Sequence, residues 1–354
     1  MGNKSSAYAK SGVDIELGNR IKESLPSLLE STKRPEVLGE VGGFGGLFAL
    51  NTKNYKQPVL VSSADGVGTK LKVAFMTKKH FTIGQDLVNH CVNDIAILGA
   101  EALFFLDYLG TGKLTPKVFQ DILRGFAIAC AENNCSLLGG ETAQMPGFYQ
   151  KGEYDVSGTI VGIVDKKKIL DGSKVKEGDL IIGIESNGLH TNGYSLARNV
   201  LFDKMGLKIS SKVSSLGKKT IGQELLRIHR SYGQLIAKLL KTYNKPKAPS
   251  GIKAMAHITG GGFYDNIPRN LPENLDALVD SHAWTPQPIF QLIQEHGKIS
   301  NEEMFHVFNM GIGLTCIVAP KHSKKIAATI KRNGFACHII GRINKGSKKV
   351  SINY

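Results

Sequence analysis

The chain has 354 residues, 42% of them hydrophobic and 21% charged, ordinary values for a globular protein with material for two cored domains. No apolar run approaches the roughly 20 residues that span a bilayer, so no membrane-spanning helix is expected. The net charge of +15 arises in residues 167–354, with 28 basic against 13 acidic side chains, while residues 1–166 balance at 17 of each. Lysines such as Lys204, Lys208, Lys218, Lys241, Lys247 and Lys324 are scattered without interleaved aromatics. They read as a solvated surface rather than a nucleic-acid interface.

The opening M-G-N-K-S-S-A-Y-A-K has no apolar core, so no secretory leader is expected and the cytoplasm is the expected compartment. Gly2 and Ser6 match a myristoylation pattern only superficially. Cys91, Cys130, Cys135, Cys316 and Cys337 include no C-x-x-C pair, and buried, reduced thiols are expected.

In chain order, residues 37–48 (V-L-G-E-V-G-G-F-G-G-L-F) form a glycine-rich loop of a kind that can fold over phosphate, though a linker reads the same. A strand is predicted at 57–64, running into V-S-S-A-D-G-V-G-T-K at 61–70. This is no P-loop, because Thr69 precedes Lys70 and Gly66 and Gly68 are only two apart. A helix at 83–98 carries Asp86, His90 and Asp94 at i, i+4 and i+8, with Asn89 and Asn93 beside them and apolar residues elsewhere. A solvent stripe usually carries Lys, Glu and Arg, whereas these short oxygen donors suit Mg²⁺.

A strand at 102–109 and a helix at 116–132 follow, the helix opened by Thr115 and Pro116. Next comes a strand at 135–139, leading into L-L-G-G-E-T-A-Q-M-P-G at 137–147, where Glu141 is either a placed acid or an exposed turn residue. The β-rich run 154–164 and a polar connection place a domain break near 166–170, and a new strand starts at 179–186. Helices are predicted near 192–205, 222–243, 286–297 and 321–333, and strands near 275–280, 312–319 and 335–341. The fold class is therefore α/β or α+β with mixed sheets. S-N-G-L-H-T-N-G-Y-S-L (186–196) and T-G-G-G-F-Y-D-N-I-P-R (259–269) put amides and hydroxyls at helix starts, where anions are favoured, and His190 reads as a site residue there.

With these motifs in hand, the chain resembles the phosphoribosylformylglycinamidine cyclo-ligase (AIR synthetase) family. The likeness is collinear: Y-A-K-S-G-V-D-I (8–15), R-P-E-V-L-G (34–39), G-G-F-G-G (42–46), D-G-V-G-T-K (65–70), C-V-N-D-I (91–95), F-F-L-D-Y (104–108), G-G-E-T-A-Q-M-P-G (139–147), H-T-N-G-Y-S-L (190–196) and T-G-G-G-F (259–263). Ala64 and Leu189 stand where the family commonly has Thr and Pro, and neither change removes a charge.

The resemblance implies an N-terminal ATP/Mg and dimerisation domain (1–168) and a C-terminal substrate-phosphate domain (169–354). The N-terminal sheets of a homodimer would join into a barrel, removing exposed strand edges. It implies ATP and Mg²⁺, with K⁺ as a further candidate, and no nucleic-acid or membrane partner. Asp65, Asp94 and Glu141 would hold Mg²⁺, and Lys70 would contact phosphate. Gly42, Gly43, Phe44, Gly45 and Gly46 would close over the nucleotide, with Gly66, Gly68, Thr69, Asn93 and Asp107 in its site. Asn187, Thr191, Asn192, Thr259, Gly260, Gly261 and Gly262 would hold the substrate, formylglycinamidine ribonucleotide (FGAM). His190 or Asp107 would shuttle protons.

The implied reaction phosphorylates the formyl oxygen from ATP, then closes the imidazole ring with loss of phosphate. It needs positioning and charge neutralisation rather than a protein nucleophile. Superfamily alternatives fit less well. Selenophosphate synthetase should show an early reactive cysteine, and none precedes Cys91; the hydrogenase maturation protein should end in cysteine, and this chain ends S-I-N-Y. Thiamine-monophosphate kinase lacks the G-V-D-I and G-G-E-T-A-Q-M-P-G motifs. An inactive, basic binding protein is the remaining alternative, and Asp65, Lys70, Asp94 and Glu141 argue against it.

Overall fold

The computed structural model describes Glu16 and residues 25–39, 44–245 and 251–354. Gly42, Gly43 and the 8–15 motif lie outside the described residues. A short helix α1 (Leu25–Glu30) and a two-residue ribbon, β1 (Val37–Leu38) with β2 (Leu47–Phe48), lead into the first sheet.

That sheet has the order β3-β6-β4-β5: β3 (Pro58–Gly66), β4 (Glu101–Thr111), β5 (Ser136–Gln144) and β6 (Tyr154–Asp165). Pairing is antiparallel except between β4 and β5, whose parallel register requires the long crossover through α4 (Pro116–Glu132). Strand β3 alternates, with Leu60, Ser62 and Ala64 exposed and Val59, Val61 and Ser63 turned inward, as a half-buried edge strand should. Between β3 and β4 come α2 (Lys70–Thr77) and α3 (Phe81–Ala96), and α3 packs against β3, β6, β4 and α4. Helices α3 and α4 touch backbone to backbone at Gly84 and Gly125. A methyl on Gly84 would strike the Ile122 carbonyl, and one on Gly125 the Phe81 carbonyl.

The second sheet has six strands in the order β12-β9-β11-β7-β10-β8: β7 (Leu180–Glu185), β8 (Ile252–His257), β9 (Leu275–Asp280), β10 (Ile312–Val318), β11 (Cys337–Lys345) and β12 (Val350–Asn353). Only β12 with β9 is parallel. Every residue of β10 is buried, in keeping with a run that is apolar except for Thr315. Helices α5 (Tyr194–Arg198), α6 (Ile221–Leu225), α7 (Gly233–Tyr243), α8 (Gly262–Asn266), α9 (Pro288–Gly297), α10 (Asn301–Val307) and α11 (Pro320–Arg332) surround it. Residues of α7 and α11 close one apolar cluster over Ile182, Ile184, Leu314 and Cys316. The strands of the first sheet end at Asp165 and those of the second begin at Leu180, on either side of the expected 168/169 division. All five cysteines are buried and free, as expected.

One expected helix is corrected. The predicted 222–243 helix is broken into α6, opened by a Thr220/Gln223 capping box, and α7, with Leu226–Tyr232 non-helical between them. The expected 192–205 helix is a five-residue α5 that continues to Lys204 as a wider, π-type turn.

The Gly84–Gly125 contact generates a stability prediction. Gly125→Ala should destabilise the N-terminal domain by about 2–3 kcal/mol, because the colliding atoms are backbone and cannot rotate away. A lowered urea midpoint for a chain with unchanged far-UV circular dichroism is the expected outcome.

Candidate functional site

The polar stripe of α3 does two jobs. Its inner half holds the segment between α6 and α7. Asp86 Oδ1 accepts from the His229 amide at 2.7 Å and from Lys70 Nζ at 2.9 Å. Asn89 Nδ2 donates to the His229 carbonyl at 2.8 Å; Asn93 Nδ2 donates to the Arg230 carbonyl at 2.9 Å and its Oδ1 accepts from the Tyr232 amide at 2.7 Å. From the other domain, Asn187 Nδ2 donates to the Ile228 carbonyl at 2.9 Å. These bonds are why the predicted helix breaks: the backbone groups of 228–232 find partners on α3 and in the 187 turn instead of in a helix.

Lys70, expected on a phosphate, is corrected by the same contacts. It is 0% exposed, and its ammonium donates to Asp86 and to the carbonyls of His190 (3.0 Å) and Arg227 (2.7 Å). Burial pushes Lys70 down and Asp86 up to about 6, with the partner's charge opposing each shift; three acceptors around Nζ favour the ammonium. Asn93 and Asn187, expected at nucleotide and substrate, are likewise engaged in holding this segment.

The outer half of the stripe faces a cavity of about 540 Å³ between the two domains. Asp65, His90 and Asp94 line one wall, and Asn192, Thr259, Gly260 and Arg269 line the other, with His257 between. His90 Nε2 lies 2.9 Å from Asp65 Oδ2 and 3.8 Å from Asp94 Oδ2, while Ser63 Oγ donates to Asp94 at 3.2 Å. Burial raises both carboxyls, but His90 and the Gly66 amide at Asp65, and His257, His90 and Ser63 at Asp94, outweigh it and hold both below the usual range. Burial also opposes a charge on His90, yet Asp65 and Asp94 carry it above its ordinary value.

Behind this wall runs a chain of hydrogen bonds whose directions follow from donor counting. Asp94 Oδ1 accepts from His257 Nδ1 (2.8 Å), so the neutral His257 presents an unprotonated Nε2. His229 Nε2 then donates to it at 3.0 Å, and His229 Nδ1 accepts from Thr191 Oγ1 at 3.2 Å. Thr191 in turn accepts from His90 Nδ1 at 2.9 Å, which with Nε2 facing Asp65 favours the charged form of His90. Burial lowers His229 and His257, in keeping with their neutral assignment.

The structure brings Asp65, Asp94, Asn192, Thr259 and Gly260 together at the cavity. Gly261 and Gly262 have φ of +85° and +57° at the start of α8, where only glycine is unstrained, and a Cβ on Gly262 would strike the Phe305 carbonyl. Thr69 Oγ1 meets Ser195 Oγ across the domains at 2.9 Å, just after the left-handed Gly68, and the Gly66 amide donates to Asp65 Oδ1 at 2.7 Å. Thr191 is buried inside the chain, and His190 is fully enclosed with φ +60° and no hydrogen-bond partner at either ring nitrogen.

The expected acidic trio is not assembled within one chain. Strands β3 and β5 occupy opposite edges of the sheet, and Glu141 is exposed. Asp107 packs over Gly140, so the next residue, Glu141, turns to the opposite face. Asp107 itself lies in register with Gly158 and, beyond it, Asp65, two strands from the cavity wall. Burial pushes its carboxyl up to about 7. Phe44, Gly45 and Gly46 precede β2 away from the cavity lining, with Phe44 fully exposed and Gly46 against Leu138.

Three residues of the site carried no usable sequence signal. His257 closes a strand that was not predicted, His229 was hidden inside a predicted helix, and Arg269 stood at the end of the T-G-G-G segment without a partner in view. Asp65 and Asp94 fit a hard divalent ion: both are ionised, both are oxygen donors, and their side chains remain 39% and 26% exposed at the cavity.

Two outcomes follow. Lys70→Met should cost about 3–5 kcal/mol by stranding the buried Asp86 charge, with loss of folded protein on denaturant titration rather than a selective change in nucleotide KM. For Asp107, a folded pKa raised above the unfolded value of about 3.9 means a contribution that is full below that value and lost as pH rises through about 7. Asp107→Asn should therefore be more stable than wild type at pH 8, by about 2 kcal/mol since some solvent contact trims the effect, and the gap should narrow as pH falls below about 7 and close only near pH 4 in parallel urea titrations.

Comparison with known proteins matches residues 50–164 to the N-terminal domain, and 176–353 to the C-terminal domain, of AIR synthase related proteins. The chain is 49% identical over 346 residues to a phosphoribosylformylglycinamidine cyclo-ligase of Syntrophotalea carbinolica, covering 98% of this chain and 97% of that one. It is 46% identical over 349 residues to the one of Brevibacillus brevis, covering 99% of each. Among solved structures, thiamine-monophosphate kinase from Stenotrophomonas maltophilia aligns with TM-score 0.68 at 16% identity over 95% of both chains. The hydrogenase maturation protein HypE in complex with ATP aligns with TM-score 0.64 at 14% identity, over 95% of this chain and 90% of that one; both likenesses speak to fold alone. A cavity walled by one domain's carboxylates and the other's T-G-G-G turn, in a chain nearly half identical end to end to those relatives, belongs to the phosphoribosylformylglycinamidine cyclo-ligase family.

Proposed function

We propose that this chain converts FGAM and ATP into 5-aminoimidazole ribonucleotide, ADP and phosphate. The observation that carries this reading is the polarity of the cavity: ionised Asp65 and Asp94 on one wall, and Arg269 with the Thr259–Gly260 turn on the other. A nucleotide triphosphate with its cation suits the first wall, and the substrate's 5′-phosphate suits the second, where a guanidinium can pair with it bidentately. Asp65 and Asp94 would hold Mg²⁺, which when bound neutralises charge on the phosphoryl group in transfer. His90, protonated between the two acids, supplies further positive charge at the cavity wall.

Phosphoryl transfer to the formyl oxygen turns it into a leaving group. The amidine nitrogen that bears the ribose then attacks the formyl carbon within the same molecule, and phosphate departs. The work of the protein is orientation across the domain gap, which is why side chains from both domains line one cavity. Enclosure of His190, and the place of Asp107 two strands from the cavity wall, leave His90, Asp94 and the chain behind them as the cavity's proton-handling groups.

The chain works as a cytoplasmic homodimer in this reading. Support comes from the outer face of the four-stranded sheet, where Leu60 and Leu106 are exposed beside Ser62 and Ala64. Two such faces closing into a barrel would cover apolar surface and the exposed edge of β3 together. Glu141 turns toward this same face, so a role for it in metal binding would depend on that closure.

The test is a coupled assay of purified protein with FGAM, ATP and Mg²⁺, following ADP and the aminoimidazole together. Equal formation of both is expected. Asp94→Asn should abolish both signals, and Arg269→Ala should raise the FGAM KM about 10–100-fold, the worth of one charge-assisted contact of about 1.5–3 kcal/mol. ADP without the imidazole product would instead identify a kinase acting on another acceptor.

A further inference from the structure

The T-G-G-G turn on the second wall of the cavity is held by one side chain, Asn266 at the end of α8, which is 4% exposed. Its amide nitrogen lies 2.8 Å from the Gly262 carbonyl, 3.1 Å from that of Gly260 and 3.4 Å from that of Thr259. Its oxygen faces the Thr259 hydroxyl at 3.4 Å. Carbonyls only accept, so this orientation of the amide is the one that suits all four contacts. Its two protons serve Gly262 and Gly260, while the Thr259 carbonyl accepts from the Gly262 amide at 3.0 Å.

Every peptide bond among the described residues is trans, so a carbonyl and the amide of the next residue point opposite ways. With the Thr259 and Gly260 carbonyls drawn inward, the Gly260 and Gly261 amides turn away from Asn266. Among the described residues, no group accepts from either amide. Asn192 stands beside Gly260 on the same wall, and its Nδ2 is buried without a partner. An orphaned buried donor is costly unless a ligand accepts from it. Gly260, Gly261, Asn192 and Arg269 thus give this wall donors, and its own carbonyls are withdrawn from it.

We propose that Asn266 is a positioning residue for the phosphate group: it draws the carbonyls of the T-G-G-G turn inward, so that the wall offers only donors to a phosphomonoester. This deepens the reading of that wall as the site of the substrate's 5′-phosphate, and rests on it. A phosphate dianion accepts through each of its terminal oxygens and donates nothing, so a carbonyl left facing it would repel it. Asn266 acts through the turn rather than on the reacting atoms. Only an amide does this at that size. Asn266→Asp keeps the shape but sets a carboxylate against three carbonyls, and Asn266→Ala leaves those carbonyls free to turn outward.

The probe is ribose 5-phosphate, which carries the phosphate without the reactive end of the substrate, so binding is read apart from cyclisation. Full-length protein is titrated with it by calorimetry, and the amide protons are followed in spectra of ¹⁵N-glycine-labelled protein. Wild type is expected to bind, with the Gly260 and Gly261 amides moving downfield as an anion accepts from them. Asn266→Ala and Asn266→Asp, each shown to be folded by circular dichroism, should bind about 10–100-fold more weakly. In the coupled assay they should raise the FGAM KM by the same factor, with kcat and the ATP KM nearly unchanged, a split that general loss of structure does not produce. Amides that ribose 5-phosphate leaves unmoved in folded wild type would overturn the proposal without either variant. So would a folded variant with wild-type affinity, or one that loses kcat at constant FGAM KM. A chain that binds the probe through these amides and forms no imidazole would refute the cyclisation reading and leave this one standing.

Discussion

Everything at the centre of this protein hangs on the side chains of one helix face reaching across to the backbone of another domain. Asp86, Asn89 and Asn93 on α3 meet the amides and carbonyls of residues 229–232, and Lys70 reaches the carbonyls of His190 and Arg227. Each bond is worth only about 1 kcal/mol net, but each would cost more if one partner were removed and the other left buried. That asymmetry makes the two domains hard to shift independently. It also fixes the strained left-handed turn at His190, whose carbonyl is pinned by an enclosed ammonium.

With the domains locked, the other half of the same helix face can carry opposed charges at short range. His90 lies between two carboxylates that favour its charged form, while burial favours the neutral form of the histidines behind it. One cluster thus contains imidazoles pushed in opposite directions: at His90 the carboxylates of Asp65, Asp94 and Asp86 together outweigh burial, whereas at His257 burial outweighs its bond to Asp94. Donor counting along the chain makes each tautomer depend on the next, so the protonation of His90 is coupled to the orientation of His257.

The elements that read well from sequence are those whose pattern is local. The 116–132 helix matches α4 end to end, because Pro116 fits its first turn and an apolar stripe fits its buried face. Strand β10 falls inside the strand expected near 312–319, an apolar run interrupted only by Thr315. The stripe on α3 was legible as non-solvent from its Asn, Asp and His content, yet its division into an interdomain half and a cavity half was not. Residues 222–243 failed for a physical reason: the 227–232 stretch has nothing that forbids a helix, and only the competing donors and acceptors of α3 turn it out of one.

By itself, the sequence determined the mixed α/β class, the two-part chain and the family, and it singled out two acids and a T-G-G-G turn that line one cavity, since these depend on periodicity and on collinear motifs. The tertiary structure alone decided that Lys70 is an internal tie, that Glu141 stands apart from Asp65 and Asp94, and that His229, His257 and Arg269 belong to the centre. A residue type announces what chemistry it can do. Which partner it meets is settled by contacts between residues 100 or more positions apart, as in the bond from Asp94 to His257, and no local pattern records them.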